Sequence, residues 1–433
     1  VAELPAWTGI KRLSQNQQRK TMSSQDTDDI MGPHRYRNNQ RMVPAGEAAW
    51  KLAEDNGMLD IRVDATAGQN RFRDVRTGHE FLNLSSCSYL GLNSHPTVIE
   101  AGISALREEN ITGLSMAEFR IRLDLMHRLE TELSELFGCY VMPSISCGVL
   151  TAAILPLLGS GHFTDSEPLV VVFDKFAHFS LNFMKPIVAD ETLVLTCPHN
   201  DMEFLEDICK KYPRVAYVCE GAYSVGGLAD LEGIKSLQEK YGLFVYIDDS
   251  HALSTQGQFG EGYARTVFRE LDDRTIVVAS TAKAFGSTGG IAMLGSSAKF
   301  DFLYRSGPMG WSQSLRTAAV GTTLGSIEVH RSPELGQRQR QLADNIELFD
   351  KRLQGRDLRG IGSHIKFVTL GDNDRAVQLS TELYRRGYYC SAMFFPIVAR
   401  GQSGVRLMLR GDMTTEMTEA FASTLEDALD GFA

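Results

Sequence analysis

Between about residues 96 and 300 the chain alternates short, unbroken apolar runs with longer stretches of amphipathic spacing. The runs are Leu169-Val170-Val171-Val172-Phe173, Thr192-Leu193-Val194-Leu195, Val215-Ala216-Tyr217-Val218-Cys219, Leu243-Phe244-Val245-Tyr246-Ile247 and Thr275-Ile276-Val277-Val278. Apolar residues at nearly every position, many of them β-branched, predict strands covered on both faces. Helical spacing precedes them, over Glu130 to Phe137 and through Leu158, and lies between several of them, for example over Leu231 to Tyr241. This alternation predicts an α/β domain built on a mainly parallel sheet. Ligands of such folds bind outside the carboxyl ends of the strands, where Asp174, Glu220, Asp248 and Ser280 fall.

Beyond about residue 320 the pattern changes. One long helical stretch, Thr317 to Leu353, leads into shorter elements. Ile365 to Leu370 and Val405 to Leu409 read as strands, each followed by helical spacing, at 375–386 and 415–429. The expected organisation is a polar extension over 1–45, an N-terminal segment over 46–95, a large domain over 96–320 and a smaller α+β domain over 321–433. The extension carries Arg35, Arg37 and Arg41 and the polar run Ser14 to Lys20, and is expected to be partly disordered or to lie across another surface.

Composition narrows the function classes. At 433 residues the chain exceeds one small core. A net charge of −10 argues against a nucleic-acid surface. No apolar run approaches the roughly 20 residues that span a bilayer, so no membrane role is expected. The seven cysteines are odd in number and form no CxxC pair, which argues against a metal site and a disulfide framework. Cys219 lies in an apolar run and reads as a small core residue. No leader segment is visible, and a reducing cytoplasm is the expected location.

Chemistry gathers after the strands. Lys283 lies among small residues in Ser280-Thr281-Ala282-Lys283-Ala284-Phe285-Gly286, and Asp248-Asp249-Ser250-His251 closes the run before it. A lysine and an acid-plus-histidine, each past a buried strand, suggest a pyridoxal 5′-phosphate site. Lys283 would form the Schiff base, and Asp248 would keep the ring nitrogen protonated by opposite charge at close range. Alone, either acid of the Asp248-Asp249 pair reads equally as a helix cap. His251 could bond the ring hydroxyl oxygen and His178 could stack on the ring; each alone reads as a structural histidine. The phosphate needs backbone N–H groups at a helix start, which Ser146, Cys147, Gly148 and Val149 could supply, with the Ser280 and Thr281 hydroxyls added. Arg406 interrupts an apolar strand and would hold a substrate carboxylate in a fork, or a structural acid.

Taken in order, these pieces resemble the α-oxoamine synthases, a fold-type-I pyridoxal phosphate family, over roughly residues 80–430. Asn83 to Leu92 is similar to the family's NYLGL segment. His127, Leu129 and Glu130 echo its HxxLE helix with one residue fewer. Phe176-Ala177-His178-Phe179-Ser180 looks like NHAS, Glu220 to Gly227 like EGVFSMDG, and Asp248 to His251 like DDAH. The resemblance implies a fold-type-I transferase, with His178 on the ring, Ser224 at the cofactor and Arg406 on the substrate carboxylate. It also implies a homodimer with shared active sites, in which Ser312 and Gln313 touch the neighbouring subunit's phosphate. The implied reaction joins an amino acid such as glycine, alanine or serine to an acyl thioester, forming a carbon–carbon bond with loss of carbon dioxide.

Departures cluster around the substrate pocket. Ser88 stands where many members carry Asn beside the Tyr, Gln313 interrupts a hydroxyl pair, and Arg316-Thr317 replaces a proline pair. They leave the electrophilic co-substrate open. The stretch around His178 most resembles the quorum-sensing autoinducer synthase. The alternative expectation is therefore γ-elimination and coupling with S-adenosylmethionine as amino donor. A catalytically dead regulatory homologue is a third reading, which the presence of Lys283 opposes.

Overall fold

The computed structural model describes residues 38–431 except 66–69, 118 and 165–166. Most of the expected N-terminal extension, including Arg35 and Arg37, lies outside the described residues. The helix Asn38–Asp55 leads to β1 (Val63–Ala65), β2 (Arg71–Asp74) and β3 (Glu80–Asn83), an antiparallel meander. A strand near the other end of the chain, Tyr388–Tyr389, pairs in parallel with β3.

The large sheet contains β4 (Tyr140–Ser144), β5 (Val170–Asp174), β6 (Val194–Cys197) and β7 (Val215–Glu220). After β7 comes a small hairpin of β8 (Ala222–Tyr223) and β9 (Gly227–Leu228). β10 (Phe244–Asp248), β11 (Thr275–Ser280) and β12 (Gly290–Leu294) complete the sheet, whose order is β4-β12-β11-β10-β7-β5-β6. All neighbours from β11 to β6 are parallel, while β12 runs antiparallel to both β11 and β4. The five apolar runs are thus the five parallel strands. One is displaced: β6 starts at Val194, because Thr192 ends the preceding helix, Lys185–Glu191.

The expected long helix Thr317 to Leu353 is two helices, Thr317–His330 and Pro333–Arg352. Pro333 has no N–H and disfavours helix in the residue before it; Ser332 takes extended geometry and caps the second helix. The boundary expected at 320/321 therefore falls inside a helix. That first helix packs tightly on Pro96–Glu109, where a Cβ on Gly321 would lie 2.5 Å from the Ala101 carbonyl oxygen.

Two cores result. One surrounds the large sheet and includes Val172, Tyr217, Ile247, Val277 and Ile327. The other holds β13 (Leu358–Arg359), β14 (Ile365–Gly371), β15 (Tyr388–Tyr389), β16 (Ser391–Met393) and β17 (Ser403–Met408). Its interior joins Leu82, Tyr89 and Leu92 to Phe349, Val405, Leu407 and Phe421. The segment 46–95 thus packs with the C-terminal unit. No described helix is long and apolar enough to cross a membrane.

Candidate active site

Asp174, Glu220, Asp248 and Ser280 are the last residues of β5, β7, β10 and β11, so four polar side chains line one edge of the sheet. Parallel pairing places Asp248 beside Glu220. Asp248 is buried; its Oδ1 accepts from Ser250 N at 3.0 Å, and the Cys147 thiol approaches its Oδ2 at 3.7 Å. Burial, and then the Asp248 charge, push the Cys147 thiol well above its ordinary pKa, so it stays neutral.

Lys283 follows β11 in a half-buried turn, and its Nζ takes no hydrogen bond or ion pair among the described residues. Its charge acts on Cys147, His178, Glu220, His251 and His364, which places all five around it. Burial lowers the pKa of His178 despite an exposed face; Asp248 opposes that shift, and Lys283 and Arg406 add to it. Its Nδ1 faces Ser180 Oγ at 2.9 Å and accepts from Ser180 N at 3.2 Å, which fixes the ring at a helix start.

His251 is buried, and desolvation holds its pKa well below the usual value. Its Nδ1 lies 2.6 Å from the Tyr89 hydroxyl. With Tyr89 donating, the neutral ring carries its proton on Nε2, leaving that atom as a donor. Tyr89 in turn packs on His364, 4.1 Å between ring centres, and His364 Nε2 is buried without a partner. Glu220 is held protonated by burial and by the Asp248 charge, and accepts a bond from the His178 backbone. Glu220 was expected at a strand end where ligands bind and Tyr89 within a family motif, but neither was given a role, and His364 was not anticipated.

The helix Cys147–Gly159 starts beside this cluster. Ser146 Oγ accepts from Val149 N at 3.2 Å, which leaves the first-turn N–H groups of Cys147 and Gly148 without intrahelical acceptors. Ser280 Oγ accepts from Ala282 N at 3.2 Å, and Thr281 Oγ1 is buried with no partner. A helix start with a spare buried hydroxyl close by is suited to a phosphate.

Three expectations change in detail. Ser224 accepts from Arg406 Nη1, which places it beside the arginine. Ser88 is buried and donates to Asn93 Oδ1 at 2.5 Å, so its hydroxyl serves the turn that presents Tyr89. Ser312 and Gln313 follow the helix Gly307–Trp311, and Gln313 Oε1 accepts a bond from Arg316. Arg406, in β17, forms no ion pair among the described residues, and its Nε is buried without a partner. A structural salt bridge, the alternative open for this residue, is therefore absent there. Asp249 faces away: its Oδ2 accepts from Ala264 N at 2.9 Å, and burial pushes its carboxyl up to about 7.

The sequence model of the family described as aminotransferase class I and II matches residues 182–425, which include Asp248, His251, Lys283 and Arg406. An 8-amino-7-oxononanoate synthase of Alkaliphilus metalliredigens is 27% identical over 361 residues, 81% of this chain and 88% of that protein. A serine palmitoyltransferase of Bacteriovorax stolpii is 27% identical over 358 residues, 80% of this chain and 82% of its own length. The solved serine palmitoyltransferase of Sphingomonas wittichii superposes with a TM-score of 0.78 at 22% identity, covering 92% of this chain and 98% of that one. That structural likeness bears on the fold.

Proposed function

We propose, on the premise that this chain belongs to the aminotransferase class I and II family, that it is a pyridoxal phosphate-dependent transferase joining an amino acid to an acyl thioester through a new carbon–carbon bond. The relatives named above, an oxononanoate synthase and a serine palmitoyltransferase, support that reading. The observation that carries it is the unpartnered Lys283 amine and the unpaired Arg406 guanidinium facing one cluster with Asp248, His178 and His251.

The residues fit the cofactor. Lys283 Nζ would hold its aldehyde carbon, Asp248 its ring nitrogen, His251 Nε2 its ring oxygen, and the Cys147 and Gly148 N–H groups with Ser280 and Thr281 its phosphate. Bound there, pyridoxal phosphate supplies an electron sink for a carbanion at the amino acid's Cα. Asp248 keeps a proton on the ring nitrogen. Arg406 takes the substrate carboxylate, with Ser224 fixing one arm of the guanidinium. His178 would lie against one face of the ring and exclude water from it. Lys283, freed when a substrate amine takes its place, would serve as general base for the Cα proton. The thioester would lose its thiolate as the new carbon–carbon bond forms, the carboxylate would leave as carbon dioxide, and the Lys283 ammonium would return a proton to Cα.

The active unit in this proposal is a homodimer, with Ser312 and Gln313 reaching the partner's phosphate. The exposure of Phe176, Phe179, Phe183 and Trp311 favours it. The S-adenosylmethionine reading has no support in the relatives reported. The test is direct. Purified protein given the cofactor should show the visible absorbance band of lysine-bound pyridoxal phosphate, and Lys283→Ala should lose that band. Thiol release from an acyl-CoA series should require glycine, alanine or serine. Absence of the band rejects the cofactor; a band without amino acid-dependent thiol release rejects the reaction.

A further inference from the structure

His199 lies outside the cluster just described, yet it is bonded through both ring nitrogens. Nδ1 sits 3.1 Å from Asp174 Oδ1, and Nε2 sits 3.0 Å from the Gly226 carbonyl oxygen. Its ring stacks on Phe176 at 4.5 Å and meets Tyr223 edge-on at 4.5 Å. Two acceptors leave a neutral imidazole with a lone pair facing a lone pair, so the arrangement requires both nitrogens to be donors.

Asn200 extends the grip. Its N–H donates to Asp174 Oδ2 at 3.2 Å, its Nδ2 donates to Leu228 O at 2.9 Å, and its Oδ1 accepts from Asp230 N at 3.2 Å. Together the two residues hold the β8–β9 hairpin from both strands. That hairpin carries Ser224, which accepts from Arg406 Nη1, and Val225, which packs on Phe367, Met393 and Val398 of the smaller unit.

We propose that His199 is a positioning residue for the carboxylate site: as an imidazolium it ties the β8–β9 hairpin to the end of β5 and so sets the Arg406 guanidinium through Ser224. The inference rests on Arg406 being the carboxylate-binding residue. The titratable groups around His199 are Asp174 on β5, Tyr217 on β7, whose hydroxyl donates to Asp174 at 2.9 Å, Tyr223 on β8, and Cys197 at the end of β6. Lys185 lies beyond the carboxylate, on the helix Lys185–Glu191. The Asp174 bond and charge, with the Gly226 carbonyl, outweigh desolvation and raise the His199 pKa, while the same bond helps keep Asp174 below its ordinary value. The charged pair therefore holds to higher pH than a free imidazole would and is lost as pH rises through the His199 pKa.

The test uses the holoenzyme and two probes that both attack lysine-bound cofactor, aminooxyacetate and O-methylhydroxylamine. Only the first has a carboxylate, so the ratio of their second-order rate constants reads the carboxylate site and cancels effects on the cofactor itself. His199→Gln should lower that ratio about three- to tenfold, the effect of losing one positioning hydrogen bond. In the wild type the ratio should fall as pH rises, and in His199→Gln it should be flat. Lys185, whose burial depresses its pKa to about 8, could give a step in the same range; a step from Lys185 would survive in His199→Gln and would overturn the proposal. Ser224→Ala breaks the same link from its other end and should also lower the ratio, and it stands as the test if His199→Gln does not fold. A wild-type ratio and pH profile in His199→Gln and in Ser224→Ala, with a lowered ratio in Arg406→Ala, overturn the proposal alone. An unchanged ratio in Arg406→Ala overturns the carboxylate reading beneath it.

Discussion

Glu220 and Asp248 end neighbouring strands in matched register, and two carboxylates so placed in a buried site do not both ionise cheaply. The split runs toward a protonated Glu220, whose pKa burial and Asp248 raise well above the ordinary value. The folded state then binds a proton that the unfolded state has released, so stability falls as pH rises above the unfolded glutamate's pKa of about 4.3. Glu220→Gln keeps the shape and removes that dependence. Its melting temperature should exceed the wild type's, and the difference in unfolding free energy should widen from pH 5 to 8 by about 1.4 kcal/mol per unit until the folded pKa is reached. Coincident melting curves across that range would show that Glu220 carries no buried proton. This pairing could not be read from sequence. Asp248 stood out because an acid closes an apolar run, and Glu220 closes one too, but which of them keeps the charge depends on what packs around each.

At the scale of elements, the start of the helix Cys147–Gly159 is set by the strand beneath it. A Cβ on Gly290 would lie 2.4 Å from Cys147 N, so only glycine lets β12 pass under the helix start. Gly290→Ala should cost about 1–3 kcal/mol of stability through overpacking and weaken cofactor binding by displacing the first-turn N–H groups. Urea denaturation and titration of the apoprotein with pyridoxal phosphate measure both; an unshifted midpoint would mean the helix yields without penalty. The parallel strands were legible because both faces are covered and every position is apolar. β4 was not, because Pro143 interrupts it; a proline is tolerated there since β4 is the sheet's edge. Lys283, Asp248, His178, His251 and Arg406 were legible because each closes or interrupts such a run. Tyr89, His364 and His199 act through partners more than 20 residues distant in the chain, which no local pattern encodes.

At the scale of the whole molecule, two buried histidines anchor packing in the two cores. His330 stacks on Phe285 at 4.4 Å and meets Ser254 Oγ at 2.9 Å, and His364 packs at a tilt against Tyr89. Desolvation depresses both to about 4. Each binds its proton more weakly folded than unfolded, so their contribution is complete above about pH 6.5 and is lost as pH falls toward 4. The loss approaches about 3 kcal/mol for each. Melting temperature should therefore drop steeply over that window, and His330→Gln should flatten part of the slope; a parallel slope in the variant would assign the acid sensitivity elsewhere.

The parallel pairing of β3 with β15 unites strands some 300 residues apart, and the core around Tyr89 needs Phe421 to close. A ribosome delivers those partners only after every strand of the large sheet. Until the helix Thr415–Asp430 has emerged, the core around Leu82, Leu84 and Leu92 lacks Phe421, Ala422 and Leu425, although the large sheet already has all its strands. Synthesis thus passes through a half-built enzyme with an apolar seam exposed, the kind of intermediate that chaperones retain. Translation that stops short of this helix would leave the Lys283 side of the site assembled and the Arg406 side loose.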